Sequence, residues 1–469
     1  VVSDSREVGP GAVFVAISGY ATDGHQFIPT ALERGAVAIV FTDPGAAEQV
    51  PPEVTAVQVA DSRRALAELA DDFYGHPSAA LTVIGVTGTN GKTTTTWLLD
   101  SVGRAAGKTT GVIGTLGVTI AGEERPAAHT TPDAAELQRL LAEMRAAGVE
   151  QVAMEVSSHG LALDRVWRTA FSAAIFTNLT QDHMDFHGDP DDYYRAKRRL
   201  FTDYTAPPGR ELVGLINVDD PAGERLAREA TCRVVTFGLE RAADVRGMEL
   251  HSTPRGLSLL VRFPDRREPL PLDLALLGRF NAYNALGVAA CAWALGYAPG
   301  VIRRGLEQLQ AVPGRFERVE AGQPFAVVVD YAHTPDALRN VLSTARALGP
   351  RRLLCVVGCG GDRDRTKRPQ MAAIATSLAD YTFFTADNPR SEDPEAILAE
   401  MLRGATSGGY EVIPDRREAI FRAVASCQEH DLLVIAGKGH ETYQLVGGQV
   451  LPFDDRAVAR EALRERAAL

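Results

Sequence analysis

The run Gly85-Val86-Thr87-Gly88-Thr89-Asn90-Gly91-Lys92-Thr93-Thr94 follows an apolar, β-branched stretch from Leu81 to Val86 and leads into a helical pattern. Glycine sets no Cβ between backbone and phosphate. A strand, a glycine-rich turn and a helix N-terminus in this order therefore aim several N–H groups and a helix dipole at one point, where Lys92 adds a positive charge. The reading is a triphosphate cradle in which the Thr93 hydroxyl is offered to Mg²⁺. Strict P-loop spacing would put glycine at Val86; Gly85 and Gly88 flank that position instead, so the loop is a variant.

A chain of 469 residues is long enough for about three domains. Its apolar runs alternate with helical patterns, which predicts an α/β fold. The first block, 1–80, alternates Ala12–Ile17, Ala36–Phe41 and Thr55–Val59 with helical segments such as Asp61–Tyr74 and closes at Gly75-His76-Pro77. The second, 81–312, holds the phosphate loop and the strand-like runs Gln151–Val156, Ala173–Thr177 and Leu212–Asn217, and predicts a mostly parallel sheet covered by helices. The third, 313–469, begins after Val312-Pro313-Gly314. Its runs Phe325–Asp330, Leu353–Val357, Tyr381–Thr385 and Leu432–Ala436 predict a doubly wound, Rossmann-like sheet, whose ligands sit beyond the carboxyl ends of the strands.

Formal net charge is −11, which argues against a protein that coats nucleic acid or an anionic membrane; an anionic substrate must be held by local groups. Five scattered cysteines lack metal or disulfide spacing, and Cys355 and Cys359 read as packing residues. Without a membrane-length apolar run or a charged-then-apolar leader, a cytoplasmic location is expected, as is a monomer. Val1 in place of methionine raises the expectation of missing N-terminal sequence.

The polar residues that carry chemistry cluster at predicted strand ends. Glu155, in Met154–Gly160, offers a carboxylate that would share a hard cation with Thr93. Thr177–Gly188 contributes His183 and His187, of which His187 reads as a satisfied loop histidine. Asp189-Pro190 has the chemistry of a helix start, and Lys197 on that helix reads in isolation as a surface lysine. In the third block, Arg363, Asp364, Arg365, Lys367 and Arg368 crowd one loop and Arg390 ends another, which predicts carboxylate recognition by guanidinium forks.

Taken together, Gly88–Thr94, Glu155–Gly160, Asn178–Gly188, Leu277–Asn281, Asp330–Thr334, Asp387–Arg390 and Gly437–Glu441 resemble the ordered motifs of the Mur ligase family across essentially the whole chain. The resemblance implies a UDP-muramoyl-dipeptide (uridine) binding domain at 1–80, an ATP-binding P-loop domain at 81–312 and an amino-acid-binding domain at 313–469. It implies that Gly88, Thr89, Asn90, Gly91, Lys92, Thr93 and Thr94 hold ATP phosphates, with Asn281, Arg315, Asp330 and His333 near the nucleotide. Metal ligands would be Thr93, Glu155, His183 and Lys197, the lysine carrying a CO₂-derived carbamate; Lys92, Lys197, His183 and Glu155 would be the catalytic set. Ser3, Ser5, Thr130, Thr131, Ser157 and Arg165 match positions that hold the UDP-muramoyl dipeptide, although His129 and Leu163 depart from the family pattern beside them.

Members that add diaminopimelate carry Asp-Asn-Pro-Arg, as here. Arg363, Asp387, Asn388, Pro389, Arg390, Gly437 and Glu441 would form that pocket, Arg390 pairing with the distal carboxylate. The implied reaction is an ATP- and Mg²⁺-dependent addition of meso-2,6-diaminopimelate to UDP-N-acetylmuramoyl-L-alanyl-D-glutamate through an acyl phosphate, in bacterial peptidoglycan precursor synthesis. Competing readings are a ligase adding lysine or glutamate and a nucleotide switch that hydrolyses ATP without an amine acceptor.

Overall fold

The computed structural model describes residues 1–469 apart from 20, 21, 181, 254, 255, 407, 408 and 469; Gln181 of the Thr177–Gly188 motif thus lies outside the described residues. The chain forms two compact units. One comprises Val1–Gly247, Val261–Leu270 and Tyr283–Leu306; the other comprises Met248–Leu260, Pro271–Ala282 and Glu307–Leu469.

Two sheets belong to the first unit. Near the N-terminus, Val13–Val15, Ala38–Phe41 and Thr55–Gln58 pair in parallel, the last an exposed edge strand. The helix Ser62–Phe73, capped by Asp61, buries Leu66 and Ala67 with Val15, Val40 and Ala134. The larger sheet has a parallel centre in the spatial order Thr110–Gly114, Gln151–Glu155, Thr82–Thr87, Ala173–Phe176, Val213–Asn217 and Arg233–Gly238. The central strands are buried along their length, as helices on both faces require. Because these strands run the same way, their carboxyl ends share one edge, and Thr115, Val156-Ser157, Thr177-Asn178 and the phosphate loop all emerge there.

The antiparallel flank Gly117–Ile120 and Glu123–Arg125, and the outer meander Val245–Thr253, Gly256–Arg262 and Leu270–Leu274, had no counterpart among the sequence-predicted strands. The division between the two units passes through that meander.

The second unit is doubly wound, as predicted. Its spatial order is Glu317–Arg318, Ala326–Asp330, Leu432–Ala436, Leu353–Val357, Tyr381–Phe384 and Gly409–Val412, all parallel except the first. Leu353, Cys355 and Val357 face the helices Pro335–Ala347, Lys367–Leu378 and Pro394–Leu402, while Leu354 and Val356 face Arg416–Ser426 and Asp455–Ala468. This period-two alternation buries apolar side chains on both faces, each worth about 1.5–3 kcal/mol. Cys355 and Cys359 are buried packing residues, as expected. The last strand in sequence lies between Ala326–Asp330 and Leu353–Val357, so the Asp330 and Gly437 turns adjoin, and Gly437 N–H donates to the Asp330 carbonyl at 3.0 Å.

Candidate active site

The phosphate loop links the strand Thr82–Thr87 to the helix Lys92–Ala105. Several other helices start with an aspartate cap, Asp133 on Glu136 N–H for example, whereas this one starts at Gly91, which has no side chain to cap with. A helix begun this way presents its first N–H groups to an anion. Gly88 and Gly91 sit at φ +146° and +90°, and a Cβ at either would run into Thr177 Oγ1 or Asn284 Oδ1. Both glycines are therefore required by backbone shape and by space.

The loop is braced from behind by the segment after Ala173–Phe176. Asn90 N–H donates to Asn178 Oδ1 at 3.0 Å, Thr177 Oγ1 donates to the Asn90 carbonyl at 2.7 Å, and Thr180 N–H donates to Thr89 Oγ1 at 2.9 Å. Lys92 Nζ reaches back to the carbonyls of Gly88 and Thr89, both at 2.9 Å.

Lys197 corrects the isolated reading of a surface lysine. It lies 1% exposed on the helix Pro190–Thr202, which does begin at the Asp189 cap, and its Nζ donates to the Gly88 carbonyl at 2.9 Å above the Tyr193 ring. Burial, reinforced by the Lys92 charge, pushes its pKa well below the ordinary lysine value. Two lysines thus meet on one carbonyl oxygen, and the buried one is driven toward the neutral amine.

His183, at φ +54°, heads the short helix Met184–His187. Its ring lies 4.8 Å from His159 and 6.3 Å from Tyr193, the aromatic ring that Lys197 also faces. His187, expected to be a satisfied loop histidine, is so at one nitrogen: its Nδ1 lies 3.5 Å from Asp192 Oδ2. It is buried in the same aromatic cluster, 5.1 Å from Tyr193 and 5.7 Å from His159, with no hydrogen-bond partner at Nε2, and burial lowers its pKa.

Glu155, 1% exposed, accepts from Thr115 N–H at 2.9 Å and from Thr115 Oγ1 at 3.1 Å. Thr115 also meets Thr130 Oγ1 at 3.1 Å. Thr131 Oγ1 lies 3.0 Å from the Glu155 carbonyl and from Ser157 Oγ, and Arg165 donates to the Thr131 carbonyl at 2.9 Å. Four of the six predicted dipeptide-binding residues are therefore joined to Glu155 in one network. Ser3 and Ser5 stand instead in the N-terminal module, beside the turn Ser5–Glu7. His129 is exposed and Leu163 partly so.

Thr115 and His159 were not singled out from the sequence. A threonine following a strand is too common to stand out, and His159 was quoted only as part of its motif.

Among the described residues, the one group of three His, Cys, Asp or Glu side chains close enough to hold a metal ion is Asp71, Asp72 and His76, away from the phosphate loop in sequence. There Asp71 Oδ2 is already 2.9 Å from His76 Nδ1 and 3.6 Å from Arg168 Nε.

In the second unit, Asp330 uses both carboxylate oxygens locally, on Phe316 N–H at 2.7 Å and Ala332 N–H at 2.8 Å, and burial raises its pKa. Arg315 lies over Tyr331 at 5.0 Å, and His333 Nδ1 is 2.9 Å from the Tyr331 carbonyl, its pKa lowered by burial. Asn281 Nδ2 donates to the Leu277 carbonyl at 2.8 Å.

The loop Asp387–Arg390 is stitched to the hairpin Tyr443–Val446 and Gln449–Pro452. Gln444 Nε2 donates to the Asp387 carbonyl at 2.7 Å, Leu445 N–H to Asn388 Oδ1 at 3.0 Å, and Arg390 N–H to the Leu445 carbonyl at 2.9 Å. Asn388 Nδ2 donates to Glu441 Oε2 at 2.9 Å, and the buried Asp387 Oδ1 lacks a hydrogen-bond partner. The Arg390 guanidinium rests on the Gly361 carbonyl at 2.7 Å.

The basic loop before this pocket needs correction as a unit. Arg368 is fully buried between Glu392 (2.7 Å) and Glu400 (2.8 Å), Arg365 also pairs with Glu400, and Lys367 caps the His333 carbonyl at 3.0 Å. The partners of these three belong to the chain itself, whereas Arg363 is exposed and, among the described residues, bonded only to the neighbouring Asp362 carbonyl at 3.2 Å.

Three family descriptions match in order: Mur ligase family, catalytic domain, over residues 1–74; Mur ligase middle domain over 86–292; and Mur ligase, glutamate ligase domain, over 314–439. This chain belongs to the Mur ligase family. Among Mur ligases it is 47% identical to the UDP-N-acetylmuramoyl-L-alanyl-D-glutamate–2,6-diaminopimelate ligase of Geobacillus thermodenitrificans, covering 99% of this chain and 94% of the relative. A solved structure of an enzyme of that name superposes with a TM-score of 0.71 at 32% identity, covering 99% of this chain and 94% of that one. At 19% identity, the Mur ligase MurF from Thermotoga maritima in complex with ADP shares the fold, with a TM-score of 0.65 over 99% and 96% of the two chains.

Proposed function

We propose that this Mur ligase is an ATP-dependent, ADP-forming enzyme that adds meso-2,6-diaminopimelate to UDP-N-acetylmuramoyl-L-alanyl-D-glutamate, a step of bacterial peptidoglycan precursor synthesis. The observation that carries the choice of acceptor is the Asp387–Arg390 loop, which carries on one short segment a guanidinium held only by a backbone carbonyl among the described residues and a buried carboxylate oxygen without a hydrogen bond. Such a pair suits an amino acid end bearing both a carboxylate and an ammonium. Lysine would leave Arg390 unpaired, and missing partners in a polar pocket cost more than missing methylenes.

A free carboxylate is a poor electrophile, so activation precedes bond formation. The γ-phosphoryl group of ATP passes to the D-glutamyl γ-carboxylate and ADP leaves. The neutral amine of diaminopimelate then attacks the acyl carbon, its proton is lost, and phosphate departs. Gly88–Thr94 hold the phosphates, and Lys92 offsets the charge gathered on the transferring group. Asn281, Arg315, Asp330 and His333 serve the nucleotide, Thr130, Thr131, Ser157 and Arg165 the dipeptide, and Ser3 and Ser5 its nucleotide-sugar end. Arg363, Gly437 and Glu441 complete the acceptor pocket.

The donor set fits two hard cations: the Thr93 hydroxyl and Glu155 carboxylate for one, and His183 with Lys197, once it is carbamylated, for a second. Bound Mg²⁺ would supply charge neutralisation around the phosphoryl oxygens. Lys197 fits carbamylation because it is buried and inclined to the neutral form, the only form that adds to CO₂. Its nitrogen bonds the CO₂ carbon and loses a proton, so that a cation which repels metal becomes an oxygen donor.

The test is acceptor competition in an ADP-release assay. Wild type should use diaminopimelate in preference to lysine or glutamate, and Arg390→Ala should lose diaminopimelate addition by on the order of 10²-fold in kcat/KM while still binding ATP. ADP release at full rate without any acceptor would mark a nucleotide switch, and an unaltered preference in the variant would overturn the pocket assignment.

A further inference from the structure

We propose that Lys438 sets the charge of the acceptor pocket, and with it the preference for an amino acid end that carries an ammonium and a carboxylate together. The inference rests on the reading of Asp387–Arg390 and Glu441 as the diaminopimelate pocket. Lys438 follows the strand Leu432–Ala436 and is fully buried. Its Nζ lies 3.0 Å from Asn388 Oδ1, 3.0 Å from Glu441 Oε2 and 3.6 Å from Asp387 Oδ1. One ammonium thus ties two loops that lie 50 residues apart in sequence.

The same Glu441 oxygen accepts from Asn388 Nδ2 at 2.9 Å, and the same Asn388 oxygen accepts Leu445 N–H at 3.0 Å. Lys438 is therefore the hub of the pocket wall, and it holds Glu441 by one oxygen. The neighbouring buried cation, Arg416, is committed elsewhere. It pairs with the equally buried Asp455 at 2.7 Å and donates to the carbonyls of Ala386 and Ala436, the residues just before the two loops. That pair is neutral in sum and fixes the loop bases.

The charge of the pocket follows. Within the two loops that Lys438 joins, Asp387 and Glu441 supply two negative charges and Lys438 and Arg390 two positive ones, which sum to zero, while Arg363 is exposed on a separate loop. A zwitterionic end, itself neutral, fits with every charge opposed. Without the Lys438 charge these two loops carry one net negative charge and suit a lone ammonium, such as the end of a lysine side chain. Lys438 is a positioning residue, since it acts through Asn388, Asp387 and Glu441. It removes from the pocket the excess negative charge that would welcome the wrong acceptor.

The experiment measures kcat and KM for meso-diaminopimelate and for L-lysine, together with ATP binding and thermal unfolding, in wild type, Lys438→Met, Lys438→Arg and the double variant Lys438→Met/Glu441→Gln. Lys438→Met is expected to lose on the order of 10²-fold in kcat/KM for diaminopimelate, mainly through KM, and less for lysine, with ATP binding unchanged. Lys438→Arg should retain the wild-type preference even where turnover falls. The double variant, neutral again in sum, should recover preference over Lys438→Met.

An unchanged diaminopimelate-to-lysine ratio in Lys438→Met overturns the inference, as does a Lys438→Arg protein that has lost the preference. If Lys438→Met fails to fold, the Arg and double variants decide on the same ratio. A wild type indifferent to diaminopimelate sinks the functional reading and this inference with it. A diaminopimelate-specific wild type beside an equally specific Lys438→Met sinks the inference alone.

Discussion

Two buried lysines, one in each compact unit, have opposite surroundings. Lys197 donates to a backbone carbonyl, with Lys92 on the same oxygen, and its pKa is driven down by burial. Lys438 is ringed by Glu441, Asp387 and the Asn388 amide oxygen. Burial alone says little about what a lysine does; the charges beside it decide. The surroundings of the first favour the neutral amine that the proposed carbamylation needs; those of the second oppose its ammonium with carboxylates.

The largest effect should come from breaking the first member of the pair. If the proposed carbamate forms, Lys197→Ala is expected to lower ligation by on the order of 10³-fold, since the oxygen donor proposed for the metal is lost. Wild type stripped of CO₂ should fall toward the same level and recover with bicarbonate, while Lys197→Ala stays inert to bicarbonate. Ligation rates that ignore CO₂ would break the contrast.

Gly91→Ala sharpens it from the nucleotide side. A side chain at φ +90° pressed against Asn284 is strained by about 1–3 kcal/mol. The KM for ATP should rise by on the order of 10²-fold, with the KM for diaminopimelate little altered. A smaller loss, on the order of 10-fold in Mg²⁺ affinity, is expected of Thr115→Val, which keeps the backbone N–H on Glu155 but removes the hydroxyl donor; a metal titration of ligation rate reads it.

The smallest effect concerns pH. Arg368 holds the Glu392 carboxyl down at about 2, against an ordinary value of 4.5. A folded-state value below the unfolded one contributes stability that is fully present above about pH 4.5 and lost as pH falls through about 2. In Arg368→Met, Glu392 should return toward the ordinary range, and the acid dependence of urea unfolding across that window should flatten. An unchanged profile would remove the ion pair from the account.

Much of the fold was legible because its signals are local. Buried parallel strands read as short apolar runs, and the Asp189-Pro190 helix start lay where the structure has it. The edge and meander strands were missed because exposed alternation, as in Val245–Thr253, resembles loop composition. Within the site, the phosphate loop and the Glu155 strand end were visible as contiguous motifs. Thr115 was not, since its role comes from a partner 40 residues away.

The charged loop 363–368 shows the same limit from the other side. Its composition suggested substrate recognition throughout, yet Arg368 spends its guanidinium on Glu392 and Glu400, 24 and 32 residues further on.

By itself the sequence determined the glycine-lined cradle, the order of the buried parallel strands and their helices, and the arginine proposed to distinguish one acceptor from another. These depend on backbone conformation and on side-chain chemistry carried within a few neighbouring residues. Tertiary structure alone decided which charged groups remain available to a ligand and which are consumed by the chain. Electrostatic energy depends on distance and on exclusion of water, and both are set only when segments remote in sequence are packed together.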